Sequence, residues 1–204
     1  MQIKAIKKDK LHLTKLSFED GNEALIDNDV CAENCLKVGT NLNENGLKKL
    51  LEESDYSRAK SRAVWYLDRA DHTEKGLYDK LLRGGFTKES AAKVVARFIE
   101  VGLIDDRRFA ENYAERLAAS NYSKREILQK LTLKGVPYAV AKEVLETENN
   151  DELDKIKNLL EKKYQTKLQK DGGAQKVFAA LSRKGFSYSQ IREALKSYIE
   201  EFEE

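Results

Sequence analysis

Few residues in this chain have types and spacing suited to chemistry. Cys31 and Cys35 lie four apart, and the only histidines are His12 and His72. Two thiolates at that spacing are half of a zinc site. Structural zinc takes about four ligands, and no second Cys or His pair completes the set. A disulfide suits an oxidising compartment, and this sequence reads as cytosolic. The reading taken is two small apolar residues on one face of a short helix. A Cys–His nucleophile pair lacks the basic surroundings that would make a thiolate. Asp105-Asp106 could hold a metal between paired carboxylates. The pair stands just before an amphipathic helix, where one carboxylate caps free N–H groups and the other meets the positive end of the dipole. Capping is the reading taken there. Arg107 and Arg108 fall in the same first turn, against the dipole preference. They point to a partner, or to an ion pair with Asp105 or Glu111.

The glycine motifs that cradle phosphates are missing, and so is His-Glu-x-x-His. Gly84-Gly85 and Gly172-Gly173 sit where helices end or begin. Two histidines leave little acid–base chemistry near neutral pH. The chain is therefore expected not to be an enzyme and to need no metal or cofactor. Charged residues make up 35% of the 204, against about 25% in an average soluble domain. That excess suits an elongated, helix-rich chain with much wet surface. No apolar run approaches the roughly 18 residues of a membrane span, and the N-terminus alternates instead of forming a signal-peptide block. A cytoplasmic, monomeric protein is expected. Net charge is +2, distributed as −3 over 1–56, +2 over 57–106, zero over 107–152 and +3 over 153–204. No region is strongly basic, so any binding to nucleic acid must rest on local patches.

The positioning elements come from a repeat with a period of fifty. Residues 73–98, 123–148 and 173–198 align without a gap. Gly85, Gly135 and Gly185 coincide, as do Leu81, Leu131 and Leu181. Apolar columns before the glycine (Leu77, Ile127, Val177) and after it (Val94, Val144, Ala194) keep helical spacing. The glycine lies between them, where a helix C-terminus wants a left-handed residue. Ser123 with Glu126 and Ser187 with Gln190 read as capping boxes, and Thr73 and Thr87 as plain N-caps. Pro137 fits a first helical turn. A further helix precedes each pair: Ala59, Ala63, Val64 and Leu67 in the first unit, Phe109, Ala110, Tyr113, Ala114 and Leu117 in the second, Leu159, Leu160, Tyr164 and Leu168 in the third, where the register slips by about one. The fold expected is mainly α, an elongated array of three tandem three-helix repeats.

The first 45 residues differ. Ile3, Ala5, Leu11 and Leu13 alternate with polar residues, and Leu16 and Phe18 continue after a register change at Thr14-Lys15. Asp20-Gly21 signals a hairpin turn, and Ala24, Leu25 and Ile26 follow it. A small antiparallel sheet is expected, then a short helix over Val30 to Leu36 ended by Gly39. The division expected is an N-terminal strand and short-helix module over 1–45, a linker helix with repeat 1 over 46–104, repeat 2 over 105–152 and repeat 3 over 153–204.

Gly102-Leu103-Ile104-Asp105-Asp106-Arg107-Arg108-Phe109-Ala110, the upstream Lys80 to Phe86 and the later Leu131 to Val136 stand out as three linked segments. Together they resemble the RecX family of recombinase regulators. The likeness covers roughly 57–204 and is looser before that. The resemblance implies a bacterial cytoplasmic protein of DNA repair and the SOS response that modulates RecA. It implies a helical array lying in the groove of the RecA–DNA filament, bridging protomers and interfering with strand exchange and filament growth. DNA, single- or double-stranded, is then met through the filament.

Around the repeat turns lie Arg83, Lys130, Lys134, Arg183 and Lys184. Equivalent turns would align them along one edge, able to meet phosphates or an acidic protein surface; a solvated edge is the plainer alternative. Tyr138 and Tyr188 share a repeat position; stacking on a base is one use for them, and partial burial against the neighbouring helix is the reading taken. Trp65 and Tyr66 are expected to pack. The competing function is a tandem helix-turn-helix-like DNA-binding protein. Against it, the last helix ends in Glu200-Glu201-Phe202-Glu203-Glu204 and the middle one carries only Lys142, while Lys88, Lys93 and Arg97 mark the first.

Overall fold

The computed structural model describes residues 1–9, 12–147 and 151–203, with side chains to residue 198. Leu11, Glu148 and the side chains of the acidic run 200–204 lie outside the described residues. The chain divides into two compact units, 1–104 and 105–204.

The first unit opens with strands β1 (Ile3–Lys8), β2 (Leu13–Phe18) and β3 (Glu23–Asp27), antiparallel in that order. The two-residue alternation expected in β1 is broken. Its register against β2 shifts between Ile3 and Ala5, so Ile3 is buried, Ala5 is exposed and Ile6 packs on the core instead. One extra residue reverses the face of everything after it. No such shift occurs at Thr14-Lys15, where β2 pairs with β3 continuously from Leu13 to Ser17. Thr14 takes a core position itself, and its hydroxyl donates to Asn28 Oδ1 at 2.7 Å. That bond is what lets a polar residue sit there.

Helix α1 (Asn28–Glu33) is shorter than expected. Asp27 caps it by accepting from Asp29 N–H at 3.0 Å, and Cys35 turns the chain away at φ +48°. Cys31 and Cys35 therefore do not share a helix face: Cys31 is half-buried in α1, Cys35 is exposed beyond it, and both are unpaired thiols. Burial, the larger influence, pushes the Cys31 thiol up despite a hydrogen bond with Thr14.

Helix α2 (Glu44–Leu67) serves two cores. Its first half covers the sheet with Leu50, and Ser54 Oγ accepts the buried Asp27 N–H at 2.8 Å. Its second half joins α3 (Glu74–Arg83) and α4 (Lys88–Glu100) around Ala59, Ala63, Leu77, Leu81, Val94 and Phe98. Small residues at 59 and 63 allow close helix approach, and Val64, one step round the helix, is 43% exposed. Asp55 ties α2 to the start of α4 by accepting Thr87 N–H at 3.0 Å and Thr87 Oγ–H at 2.7 Å. Burial alone would raise the Asp55 pKa; the Thr87 bonds, Ser90 and Arg58 outweigh it and lower it. A lowered folded-state pKa means stability present above the unfolded value of about 4 and lost as pH falls through the folded one. Asp55→Asn should destabilise the first unit at pH 7 by about 1 kcal/mol. The gap to the parent should close in melts taken stepwise from pH 6 to pH 2.

The second unit holds α5 (Asp106–Ala119), α6 (Lys124–Leu133) and α7 (Tyr138–Thr147) about Phe109, Ala110, Ala114, Ile127 and Leu131. Next come α8 (Glu152–Leu159), a π turn (Leu160–Tyr164), α9 (Gln165–Leu168), α10 (Gly173–Arg183) and α11 (Tyr188–Glu203), packed on Ile156, Leu160, Tyr164, Val177, Leu181 and Ile191. The π turn inserts one residue per turn. It is the physical form of the register slip in the third repeat, and it keeps Leu159, Leu160 and Tyr164 buried together. Among the described residues, none after 60 is a strand.

The repeat columns superpose as burial. Leu81, Leu131 and Leu181 are each 0% exposed, and so are Leu77, Ile127 and Val177. Gly85, Gly135 and Gly185 adopt φ of +87°, +96° and +89°, the left-handed turn that ends each middle helix. Thr73, Thr87 and Ser123 accept N–H bonds from residues three ahead, as N-caps do. Ser187 and Gln190 form the full reciprocal box. At Ser123 only the first half forms, because the Glu126 carboxylate turns to Lys184 instead. Pro137 stands one residue ahead of α7, its carbonyl accepting Ala141 N–H at 3.0 Å.

Candidate functional site

Asp105 caps α5, accepting N–H bonds from Arg107 at 2.9 Å and Arg108 at 3.0 Å. Asp106 lies in the first turn and Phe109 is buried below it. The Arg107 guanidinium reaches Glu111 at 3.3 Å and Glu143 of α7 at 3.0 Å. The pairing with Glu143 raises the Arg107 pKa and lowers that of Glu143. Both side chains stay about half exposed, so the pair orients Arg107 more than it stabilises the fold. Arg108 beside it is exposed.

The turn cations separate into two groups. Arg83 and Arg183 are exposed at the ends of α3 and α10, each held by an Nε–H bond to the carbonyl four residues back, Asp79 and Ala179. Lys134 is exposed, 5.9 Å from the Tyr113 ring. Lys130 and Lys184 instead converge on the Tyr122 ring at 4.9 and 5.3 Å. Lys184 also lies 3.8 Å from Glu126, and its carbonyl accepts the Ser123 hydroxyl. A Cβ at Gly185 would come within 3.0 Å of Arg125 and Ser123. The turn of repeat 3 is thus seated on the first residues of α6.

Lys155, which sequence reasoning missed, completes that joint. It is 5% exposed and donates to the Tyr122 carbonyl at 3.1 Å, while Glu152 accepts Lys124 N–H at 2.7 Å. Lys155→Met keeps the stem and leaves the Tyr122 carbonyl without this donor. It should cost about 1–3 kcal/mol, read as a lower denaturation midpoint at unchanged slope.

Three aromatic expectations are corrected. Tyr138 and Tyr188 are 61% and 67% exposed, because each opens its helix with the side chain outside the packed face. Tyr188 rests edge-on against Phe178 at 4.9 Å. Trp65 is 42% exposed, and only its neighbour Tyr66 packs on the core. The guanidiniums of Arg62 and Arg69 approach the Trp65 ring to 5.3 and 3.6 Å. Arg62-x2-Trp65-x3-Arg69 is a helical spacing that places three side chains on one stripe, and it was readable in the sequence.

Among the described residues there is no cluster of His, Cys, Asp and Glu able to hold a metal and no helix long and apolar enough to cross a membrane. The geometry offers turns, caps and exposed cations. Three successive stretches match the RecX family: its first three-helix domain over residues 59–98, its second over 105–145 and its third over 150–195. The chain belongs to the RecX family. A regulatory protein RecX from Streptococcus gordonii is 30% identical across all of this chain and 80% of its own length. The Clostridium tetani regulatory protein RecX is 28% identical over 80% of this chain and 78% of its own. Two crystal structures share the fold. One, of a regulatory protein RecX, has a TM-score of 0.70 at 22% identity, covering 96% of this chain and 98% of its own. The other, RecX from Lactobacillus salivarius, scores 0.63 at 24% identity over 70% of this chain and 96% of its own. RecX proteins are regulatory by name, and the Asp105 cap and the three glycine turns fall within or beside the matched domains.

Proposed function

We propose that this RecX-family chain binds the RecA–DNA filament and restrains it. Its repeats span neighbouring RecA protomers and slow ATP hydrolysis, strand exchange and filament growth, in the setting of DNA repair and the SOS response. The observation that carries this reading is the tandem of three RecX three-helix domains, each turning through a positive-φ glycine with cations beside it. Each repeat offers one modest contact, and contacts along a filament add by multivalency. Arg83, Arg107, Arg108, Lys134 and Arg183 are the contacts proposed. Lys130 and Lys184 serve the joint at Tyr122 as well. The 1–45 module caps the array, and repeats 1, 2 and 3 occupy 46–104, 105–152 and 153–204. The protein acts in the cytoplasm as a monomer, by binding alone, without catalysis or cofactor.

Charge disfavours the tandem DNA reader. Lys142, the one cation of α7, pairs with Glu146 at 3.6 Å, and Arg97 of α4 pairs with Glu100 at 3.1 Å. Recognition helices need such side chains for phosphates and base edges. The test adds the chain to RecA on single-stranded DNA and follows ATP hydrolysis and strand exchange. Slowing of both at fewer chains than RecA protomers fits the proposal; no effect at equal numbers overturns it.

A further inference from the structure

The second half of α2 differs in charge from its first half. Its first half pairs its cations: Lys48 with Glu52 at 4.0 Å and Lys49 with Glu53 at 3.7 Å. Between Asp55 and Asp68 there is no acidic residue, and Arg58, Lys60 and Arg62 are all exposed. Among the described residues, none of these three nor Arg69 has a carboxylate within ion-pair distance. Arg58 acts on Asp55 from beyond ion-pair distance, and Arg62 and Arg69, with no carboxylate that close, offer a place for an outside anion.

Trp65 sits at its centre. Arg69 covers the ring at 3.6 Å and donates to the Trp65 carbonyl at 2.9 Å, which fixes its guanidinium. Arg62 stands off at 5.3 Å, a looser cover. Tyr66 meets Trp65 edge-on at 5.3 Å, and Lys80 Nζ lies 4.8 Å from the Tyr66 ring. A large aromatic left 42% exposed between flat, unpaired cations supplies what an unpaired nucleotide asks for. That is a π face for the base and forked donors for the phosphates on either side. An acidic peptide would use the cations and leave the ring idle. A duplex hides its bases from the ring.

We infer that Arg62 and Trp65 of α2, with Arg69 in the turn that follows the helix, form a direct binding site for single-stranded nucleic acid. A base stacks on the ring as Arg62 swings to a phosphate, and Arg69 holds the next one. The inference does not rest on the filament reading, and it is tested without any recombinase.

Trp65 is the only tryptophan, so emission of the full chain excited at the red edge, where its nine tyrosines do not absorb, reports this site. The probe is an oligothymidylate of about 20 nucleotides, longer than one site. Saturable quenching is expected, weakening with salt. Arg62→Gln with Arg69→Gln, checked for an unchanged circular dichroism spectrum, should weaken binding about tenfold and flatten the salt slope by about 1.4, for two lost phosphate contacts. In fluorescence anisotropy of a labelled oligonucleotide, Trp65→Ala should lose affinity and Trp65→Phe should regain most of it. Three results overturn the inference: equal quenching by polyglutamate of matched charge, equal or tighter binding of a duplex, or unchanged affinity in the double arginine variant or in Trp65→Ala.

Discussion

Gly173→Ala is expected to unfold the third repeat while the first unit stays native. A Cβ built on Gly173 falls 2.0 Å from the Lys167 carbonyl oxygen and 3.1 Å from Leu168 Cα. The obstacle is backbone, so no rotamer relieves it. Helix α10 must move off the chain that precedes it, and α10 carries Val177 and Leu181 into the core of repeat 3. The cost should be at least about 4 kcal/mol, beyond the ordinary range for a point change. Gly172 is the internal comparison. It needs its left-handed φ of +66°, and the nearest atom to an added Cβ is a side-chain oxygen 4.0 Å away. Gly172→Ala should cost only about 1–2 kcal/mol. Calorimetry of both variants decides: equal melting temperatures would mean that the close approach at Gly173 has no energetic weight.

Removing repeat 3 should abolish most of the proposed effect on RecA. A chain ending at residue 150 keeps the cores around Leu81 and Leu131 and loses the one around Leu181. It also loses Lys155 and Lys184, and with them the donor to the Tyr122 carbonyl and one of the two cations over its ring. Each repeat has a core of its own, so the remaining repeats should stay helical by circular dichroism. Loss of one of several linked contacts should raise the concentration needed to slow strand exchange by about a hundredfold. Reversing charge at Arg107 and Arg108 together should do less, since Arg107 already has Glu111 and Glu143 as partners. A truncated chain acting at full strength would confine the function to the first two repeats.

Local rules made the repeats legible. A left-handed glycine after a leucine, an N-cap three residues before its partner and a helical spacing of apolar residues are each decided within a few residues. Gly135, Ser123 and Leu131 obey them in sequence and structure alike. What escaped depends on distant chain. The burial of Lys155 requires the Tyr122 carbonyl 33 residues away, and no spacing in the sequence announces it. The bulge in β1 is visible only in its pairing with β2. The short α1 ends because Cys35 leaves the helix, a turn no glycine or proline marks. Trp65 beside an alanine-rich face reads as core, yet the alanines at 59 and 63 bring the helices together and leave position 65 facing out.

The central claim is preference for the assembled filament, and co-sedimentation tests it most directly. The chain is mixed with RecA alone, with RecA assembled on single-stranded DNA with a slowly hydrolysed nucleotide, and with naked duplex, all at moderate salt. The account predicts that the chain pellets with the filament, saturating below one chain per RecA protomer, and stays in the supernatant with free RecA. Equal capture by free RecA, or capture by naked duplex as tight as by the filament, would contradict it.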